Sequence, residues 1–265
     1  MRGLLVTASW LLFTAINAQL SETLRGSPAL SSSTDNAAYS PAVETPIVAS
    51  PGDDAYWLAD ITHQGIAAFN PNPSGYKVFR NVKEYGARGM FMTVSSDKPT
   101  SDLSCSLGDG QTDDTAAINR AISDGDRASP ESRRTSTTTP ALVYFPPGTY
   151  IISESIVDYY FTQLVGNPNN RPVIKATPEF KGMGLIDGDK YQNDGNQGWT
   201  STNVFFRQIR NLVLDLTAIP PGTGATGIHW PTGQASSLAN LKIVMSSGSG
   251  TKHQGLFIEN GRSSP

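Results

Sequence analysis

Two of the closely spaced aspartate pairs of this sequence are candidates for acid–base chemistry. Asp113 and Asp114 are adjacent, whereas Asp187 and Asp189 are separated by one residue. Catalysis by two carboxyl groups needs one acid and one base that face the same reacting bond. Adjacent residues point to opposite faces of a strand, and at the start of a helix they lie about a third of a turn apart. Asp113 and Asp114 are therefore not predicted to act as an acid–base pair.

The second pair, Asp187 and Asp189, has the spacing of one strand face. Two such carboxylates suit a calcium-dependent lyase, which also needs a basic residue that abstracts a proton. Gly184 and Gly188 lie beside them, however, and glycines in such a segment favour a turn. The turn is the interpretation that we favour, and the lyase is the alternative.

Glu259 is the best single carboxylate, because the segment 258–261 (Ile-Glu-Asn-Gly) places it at the end of a predicted strand. A solvated or salt-bridged glutamate is the alternative. His229 and His253 are candidates to tune a carboxylate. The chain has three His residues, and their spacing is not that of a metal site. We therefore predict neither a metal site nor a cofactor.

Residues 108–118 contain the signals around which the rest of the chain is organised. Gly108 and Gly110 permit positive φ and hence a tight turn. Asp113 and Asp114 are N-cap candidates whose charges lie at the positive end of a helix dipole. Apolar residues at helical spacing follow, and they predict a helix. We expect this short helix to cover the open end of a β structure.

Short segments rich in β-branched and aromatic residues, separated by Gly, Pro and Asn turns, indicate that the structure is all-β. We predict strands at residues 76–85, 143–152 (with a Pro-Gly turn inside), 163–166, 173–176, 184–187 and 256–258, and a loop at 127–140.

A weak internal repeat indicates how these strands stack. Asn211 in Ile-Arg-Asn-Leu-Val-Leu aligns with Asn240 in Leu-Ala-Asn-Leu-Lys-Ile, 29 residues later, and Gly227 aligns with Gly255, 28 residues later. Such periods are typical of solenoids, whose units bury their apolar faces against one another. We therefore predict a parallel β-helix. Asn211 and Asn240 would form an internal ladder that is structural rather than ligand-binding.

The bulk properties exclude several classes of function. Among 265 residues, 38% are hydrophobic and only 16% are charged, and the 25 Gly and 18 Pro fit a chain rich in turns. The net charge of −3 and the lack of a basic segment with interleaved aromatics argue against nucleic acid as a partner. We also expect no membrane span, and we expect a monomer.

The N-terminal segment is predicted to lie outside the β structure. Arg2, the apolar run over 4–16 and Ala18 indicate a secretory signal peptide at 1–18, and hence a secreted, extracellular protein. Residues 19–51, rich in Ser, Thr, Ala and Pro, indicate a disordered pro-segment or linker. The first β-helix domain is then 52–265. We expect it to be truncated, because the chain stops after a strand without a capping segment.

One segment of this domain does not fit the pattern. Residues 90–107, which contain the lone Cys105, separate Gly89 from the turn at Gly108. Two interpretations of this segment remain open, because loops tolerate insertions well. It is either a surface loop or an insertion foreign to the domain, such as a retained intron. The transcript sequence across this segment distinguishes them.

Several motifs make the chain resemble one family. The Asp-Gly-x-Thr-Asp-Asp motif at 109–114 resembles that of the pectate-lyase-like superfamily, which implies a right-handed parallel β-helix. More particular are 203–211 (Asn-Val-Phe-Phe-Arg-Gln-Ile-Arg-Asn), 226–230 (Thr-Gly-Ile-His-Trp), 253–261 (His-Gln-Gly-Leu-Phe-Ile-Glu-Asn-Gly) and 56–65, which resemble fungal exo-β-1,3-glucanases (glucan 1,3-beta-glucosidases) of glycoside hydrolase family fifty-five. The resemblance runs from about residue 56 to the end, with 90–107 as its main break. Pro231 departs from the pattern, since many relatives have Gln there, and 127–140 lacks a Cys pair seen in many members.

The resemblance implies two tandem β-helices, an active-site pocket between them, and release of glucose from β-1,3-glucan with inversion. Inversion needs a carboxylic acid with a raised pKa at the leaving oxygen and a base-activated water on the opposite face. The family's general acid is a Glu of the second β-helix, so the resemblance places it beyond Pro265. We therefore expect the chain to be inactive alone, with Glu259 a weak catalytic candidate.

By the same resemblance, the first β-helix supplies sugar contacts. The candidates are side chains that hydrogen-bond or stack on sugars, namely Gln208, Trp230, Gln234, Ser237, Gln254, Glu259 and Trp199. Trp199 lies in a Gly- and Asn-rich loop, so we expect it to be exposed. Trp230 is either a stacking platform or a buried residue at the edge of a rung.

The sequence thus predicts a secreted carbohydrate-active protein, the N-terminal part of an inverting exo-β-1,3-glucanase. Its partners would be β-1,3-glucan and the missing C-terminal β-helix domain. Two alternatives remain open. One is another β-helix polysaccharide enzyme, of the pectin lyase or galacturonase type, and the other is a non-catalytic glucan-binding β-helix.

Overall fold

The computed structural model describes residues 55–89, 111–200 and 203–259. The predicted signal peptide at 1–18, the linker at 19–51 and the insertion at 90–107 with Cys105 lie outside these ranges. So do the turn glycines Gly108 and Gly110. The fold that follows concerns the described residues.

Short strands make up most of the regular structure in these ranges. They are β1 (Phe79–Asn81), β2 (Ala141–Phe145), β3 (Thr149–Val157), β4 (Thr162–Gly166), β5 (Val173–Asp187), β6 (Gln208–Arg210), β7 (Val213–Asp215), β8 (Ala225–His229), β9 (Ser237–Ala239), β10 (Lys242–Val244) and β11 (His253–Phe257). Helix α1 spans Trp57–Asp60, a 3₁₀ helix spans Val82–Tyr85, and helix α2 spans Thr115–Ser123. No helix in the described ranges has the length and apolarity that crossing a bilayer requires.

The strands form two sheets in which the paired strands run parallel. The first sheet has the order β1-β2-β4-β6-β9, and the second has the order β10-β7-β5-β8-β11, with β3 also paired to β5. The two ends of the long strand β5 pair with different strands of the second sheet. Val173–Lys175 pairs with β7, and Ile186–Asp187 pairs with β8. Successive turns of the chain therefore stack on one another, and the predicted parallel β-helix is confirmed.

Columns of apolar side chains at matched register positions fill the interior. Leu164 pairs with Ile209 on the first sheet, and Ile174 pairs with Leu214 on the second. All four side chains are fully buried. Burial of one such side chain stabilises a fold by about 1.5–3 kcal/mol, so each rung depends on its neighbours.

The predicted asparagine ladder is present at the turn between the two sheets. Asn240 Nδ2 donates to Asn211 Oδ1 at 2.9 Å, and Asn211 Nδ2 donates to the carbonyl oxygen of Gly166 at 3.2 Å. Both asparagines have left-handed backbones, with φ of 60° and 51°. A Cβ on Gly166 would lie 2.0 Å from the carbonyl oxygen of Asn211. Only glycine therefore allows this rung to pass so closely under the next.

Helix α2 lies where the sequence predicted it, and both neighbouring aspartates are structural. Asp114 is the N-cap residue, but its side chain makes no capping bond. Asp113 Oδ1 accepts from the backbone N–H of Thr115, the first residue of the helix, at 2.9 Å. Asp114 instead accepts from the backbone N–H groups of Arg88 at 2.7 Å and Gly89 at 3.3 Å. The apolar face of α2, which includes Ile118 and Ile122, joins the main core.

Two predicted strand boundaries are wrong. The segment 76–85 forms only the three-residue β1 before the 3₁₀ helix, because Asn81 Oδ1 accepts from the backbone N–H of Lys83 at 3.0 Å and starts that helix. The strands predicted at 173–176 and 184–187 are the two ends of β5.

Candidate functional site

A chain of three side chains lies at the ends of β5, β8 and β11 on the second sheet. Asp187 and His229 are register partners on β5 and β8, and Phe257 on β11 is the next partner of His229. Parallel pairing without a register shift thus places Asp187 beside His229, although 42 residues separate them. Glu259 follows two residues after the end of β11.

His229 bridges the two carboxylates. Its Nδ1 lies 2.8 Å from Asp187 Oδ1, and its Nε2 lies 3.0 Å from Glu259 Oε2. The imidazole is fully buried and is stacked between two rings, with centroids 5.5 Å from that of Phe257 and 6.1 Å from that of Tyr191. Packing on both ring faces fixes the orientation that both hydrogen bonds need.

A loop after β5 adds two more donors to Glu259. The hydroxyl of Tyr191 donates to Glu259 Oε1 at 2.5 Å, and Gln197 Nε2 donates to Glu259 Oε2 at 2.9 Å. An isolated antiparallel bridge joins Tyr191 to Gln197. The side chain of Glu259 nevertheless remains 29% exposed, and Tyr191 is 36% exposed. The carboxylate is fixed by three donors and still reaches solvent.

The hydrogen bonds set the charge of these groups. Burial opposes the charged form of His229, but the hydrogen bond and charge of Asp187, and then those of Glu259, outweigh it and raise the pKa of His229. Burial likewise opposes the charged form of Glu259, but hydrogen bonds from Tyr191 and His229 lower its pKa. The bond to Glu259 raises the pKa of Tyr191 to about 12. At neutral pH Glu259 is therefore an anion, and Tyr191 is a neutral donor.

Beneath this site lies a buried polar layer. Asp189 Oδ1 accepts from the backbone N–H of Trp199 at 2.8 Å, and the backbone N–H of Asp189 donates to Asp187 Oδ1 at 3.1 Å. Arg207 Cζ lies 4.6 Å from the ring centroid of Trp199, and Arg207 Nε lies 3.8 Å from Asp158 Oδ2. Burial raises the pKa of Asp158 to about 7 and that of Asp189 to about 6. This layer holds the loop that carries Tyr191 and Gln197 against the end of β5.

A cleft of about 270 Å³ adjoins the site. Asp187 and Tyr191 line it, together with Lys181, Lys190 and Glu154. The cleft thus offers donors, acceptors and the exposed ring of Tyr191 next to the carboxylate of Glu259.

The geometry limits what the site can do. Because one imidazole fills the space between Asp187 and Glu259, the two carboxylates do not face a common bond as an inverting acid–base pair would. Glu259 has a lowered pKa and is therefore a poor general acid. A fixed anionic acceptor beside an exposed aromatic ring is suited to binding hydroxyl groups of a ligand.

The structure places the predicted sugar-binding residues on different faces. Gln208 and Ser237 are register partners on the first sheet, whereas Gln254 and Glu259 belong to the second sheet and its extension. Gln208 is half-buried and accepts from Arg210, while Gln254 Nε2 donates to the carbonyl oxygen of Leu256 at 3.0 Å. Gln234 and Ser237 are exposed. Of the predicted sugar-binding residues, the bridged site contains only Glu259.

The predicted exposure of Trp199 is wrong. This side chain is 1% exposed, because its indole N–H donates to the carbonyl oxygen of Arg134 at 3.0 Å and its ring covers Arg207. Trp230 is 8% exposed and packs in the main core, so it is the buried residue of the two alternatives. Neither indole ring is an open platform for a sugar.

The pair Asp187 and Asp189 forms a strand end and a bend, as the glycines indicated. Asp187 ends β5 and contacts His229, whereas Asp189 turns inward to Trp199. In the ranges that the structure describes, no three His, Cys, Asp or Glu side chains are grouped as metal ligands.

Sequence reasoning missed Tyr191 and Gln197. They lie 68 and 62 residues from Glu259 along the chain, in a loop without repeat or strand signals. His229 was identified as a residue that tunes a carboxylate, and its two partners agree with that role.

The comparison with protein families gives one match over more than half of the chain. The family model described as "Rhamnogalacturonase A/epimerase, pectate lyase-like" matches residues 104–264. This range contains every residue of the bridged site.

Three curated relatives cover most of the chain. A protein of Arthroderma benhamiae named "Probable glucan endo-1,3-beta-glucosidase" is 50% identical over 84% of this chain and 24% of its own length. A "Glucan 1,3-beta-glucosidase" of Cochliobolus carbonum is 46% identical over 86% of this chain and 26% of its own length. A "Non-secreted LysM effector LysM19" of Penicillium expansum is 41% identical over 78% of this chain and 15% of its own length. The chain thus spans about a quarter of the first two relatives, and the resemblance seen in the sequence is confirmed.

Proposed function

The chain belongs to the pectate-lyase-like family described as rhamnogalacturonase A/epimerase, and from this membership we propose that it is the N-terminal β-helix of a secreted glycoside hydrolase acting on β-1,3-glucan. The family description names other polysaccharide chemistry, so the substrate is inferred from the relatives. Identity of 46–50% to two proteins named for β-1,3-glucan, over more than four fifths of the chain, is the observation that carries the proposal.

In this function, Glu259 accepts hydrogen bonds from sugar hydroxyls. The carboxylate is anionic, oriented by His229 and Tyr191, and partly open to solvent. Hydrogen bonds to charged groups are worth about 1.5–3 kcal/mol each. The neighbouring ring of Tyr191 offers an apolar surface to the C–H face of a pyranose.

We propose that the general acid of hydrolysis belongs to the second β-helix that the family resemblance implies. A general acid at neutral pH needs a raised pKa and access to the leaving oxygen. Among the described residues, the carboxyl groups with a raised pKa are Asp114, Asp158 and Asp189, and all three are buried. The accessible Glu259 has a lowered pKa instead.

The activity is tested with the complete product of the gene on laminarin, with pectin and chitin as comparison substrates. We expect glucose or short β-1,3-linked oligosaccharides from laminarin, and the product sizes distinguish exo from endo action. Activity on pectin without activity on laminarin would overturn the proposal. Secretion predicts recovery from the culture medium with Gln19 as the first residue, and retention in the cells would contradict it.

The role of Glu259 is tested by substitution. We expect Glu259→Gln to weaken binding of laminari-oligosaccharides about tenfold or more, because one charge-assisted acceptor is lost. Glu179→Gln, at an exposed glutamate outside the site, is the matched control. Calorimetric titration of the two variants measures the difference. Equal affinities of the two variants would show that Glu259 does not contact the sugar.

A second candidate function is supported by the relative named as a LysM effector, which is 41% identical over 78% of this chain. A β-helix found in a protein with that name suits a binding module without hydrolysis. Retention of the complete gene product on β-1,3-glucan, with no release of sugar, would favour this function.

A further inference from the structure

A second cleft lies outside the bridged site, near the start of the described chain. It measures about 530 Å³ and is lined by residues of the segments 59–66, 73–79 and 81–84. This size falls within the range of about 300–1,000 Å³ that is typical of small-ligand sites. None of the side chains that surround Glu259 lines it.

A flat, fixed ring forms one wall of this N-terminal cleft. The imidazole of His63 stacks on Phe79, with ring centroids 3.4 Å apart and planes 9° apart. Phe79 is held in turn by Tyr144, whose centroid lies 6.0 Å away on the neighbouring strand. His63 itself is exposed. Phe79 covers one face of the imidazole, so the other face is available to a ligand.

Polar side chains with hydrogen-bonding groups available to a ligand line the cleft near this ring. The side chains of Gln64 and Ser74 form no hydrogen bond with the described residues, and both line the cleft. Asn81 uses its Oδ1 to accept from Lys83, which leaves its amide N–H groups available. Amide and hydroxyl groups both donate and accept, as a ligand rich in hydroxyl groups requires.

The charges in the cleft cancel. Lys77 and Glu84 both line it, and their side chains form an ion pair with 3.8 Å between Nζ and Oε2. Two exposed apolar side chains, Ile61 and Ile66, complete the wall. A neutral ligand with an apolar face and many hydroxyls fits this surface better than a polyanion such as a pectate or a nucleic acid.

We propose that the cleft around His63 and Gln64 is a second glycan-binding site, which holds a neutral β-linked glucan chain at a distance from the Glu259 site. The apolar C–H face of a pyranose packs on the open face of His63, while Gln64, Ser74 and Asn81 bond its hydroxyls. The identity of the glycan rests on the proposed function. The second site keeps an insoluble glucan attached while another part of the same polymer is bound at Glu259.

The test compares retention on insoluble β-1,3-glucan particles with hydrolysis of a short, soluble laminari-oligosaccharide, both for the complete gene product. We expect His63→Ala to weaken retention roughly three- to tenfold, since one stacking contact is lost. Gln64→Ala should weaken it in the same direction. Phe69→Ala is the matched control, because Phe69 is 88% exposed and does not line the cleft. Circular dichroism checks that each variant is folded.

The possible outcomes separate this site from the proposed function. If the wild type hydrolyses the oligosaccharide but His63→Ala and Gln64→Ala are retained like the wild type, the second site is wrong and the proposed function stands. If the wild type neither hydrolyses β-1,3-glucan nor is retained on it, the proposed function and the assigned glycan both fail. Selective loss of retention in the two cleft variants supports the second site.

Discussion

At the scale of single residues, the protonation of His229 decides how the site is held together. A doubly protonated imidazole donates to Asp187 and to Glu259 at once, whereas the neutral ring donates to only one of them. Because the pKa of His229 is raised above its ordinary value of 6.5, the bridged form persists to higher pH than for a free histidine. As the pH rises through that raised pKa, His229 loses one of its two donated hydrogen bonds, while Tyr191 and Gln197 still donate to Glu259.

The first prediction at this scale concerns the origin of the raised pKa. We expect Asp187→Asn to lower the pKa of His229, because the substitution removes the nearest negative charge. A titration followed by NMR of the imidazole C–H signals measures it, and the chain has only two other histidines to assign. The signals of His63 and His253 serve as internal references. A His229 titration that does not move would show that Asp187 has no electrostatic effect there.

At the scale of the element, the asparagine ladder stabilises the turn between the two sheets. Asn211 adopts a left-handed backbone that costs most residues about 1–2 kcal/mol and costs glycine little. Its side chain also makes one hydrogen bond to the rung below and accepts one from the rung above.

We therefore expect Asn211→Ala to lower the free energy of unfolding by about 2–3 kcal/mol, and Asn211→Gly by about 1 kcal/mol less. Both variants lose the hydrogen bonds, but only alanine is strained in the left-handed conformation. Urea unfolding of the three proteins measures the two losses. Equal losses for alanine and glycine would mean that the backbone conformation at this position is not a source of strain.

At the scale of the whole molecule, buried ionisable groups determine how stability depends on pH. Burial raises the pKa of Asp158 in the folded protein to about 7, from its ordinary value of 3.8. Between these values the folded state binds more protons than the unfolded state, so the free energy of unfolding falls as the pH rises. The raised pKa of His229 also makes the free energy of unfolding fall as the pH rises, but at higher pH. The lowered pKa of Glu259 has the opposite effect, because it makes the free energy of unfolding rise with pH in the acid range.

We expect Asp158→Asn to flatten the fall in stability between about pH 4 and pH 7, where one proton corresponds to at most about 1.4 kcal/mol per pH unit. Thermal unfolding at a series of pH values gives the slope. Asp60→Asn, at an exposed carboxylate, is the control and should leave the slope as in the wild type. An unchanged slope in Asp158→Asn would show that Asp158 does not titrate in this range.

Local and periodic features were predictable from the sequence, whereas contacts made by irregular loops were not. The repeat of 29 residues is visible in Asn211 and Asn240 because stacked rungs need the same residue at the same turn. Trp199 was misjudged because neighbouring Gly and Asn residues indicate a loop but not what the loop packs against. Its indole N–H donates to Arg134 and its ring contacts Tyr159, and both of these residues belong to other segments.

The same contrast between regular strands and irregular loops explains which residues of the candidate site could be predicted. Strand ends indicated Glu259, and His229 was recognised by its residue type. Asp187 pairs with His229 across 42 residues rather than one regular period, because a long loop follows β5. No periodic signal could therefore join these residues, and Tyr191 and Gln197 follow only from the three-dimensional path of that loop.

The left-handed asparagines also bear on how such a protein can vary in length. Each rung begins its second-sheet strand from a turn whose geometry is fixed by the asparagine below it. If residues are added to or removed from the loop after β5, Asn211 still fixes the next turn, and the strands that follow keep their register. Loops of different length can then replace one another during evolution while Asp187 and His229 remain register partners. The turn tolerates little change, whereas the loop can change in length at positions that make no contact with Glu259.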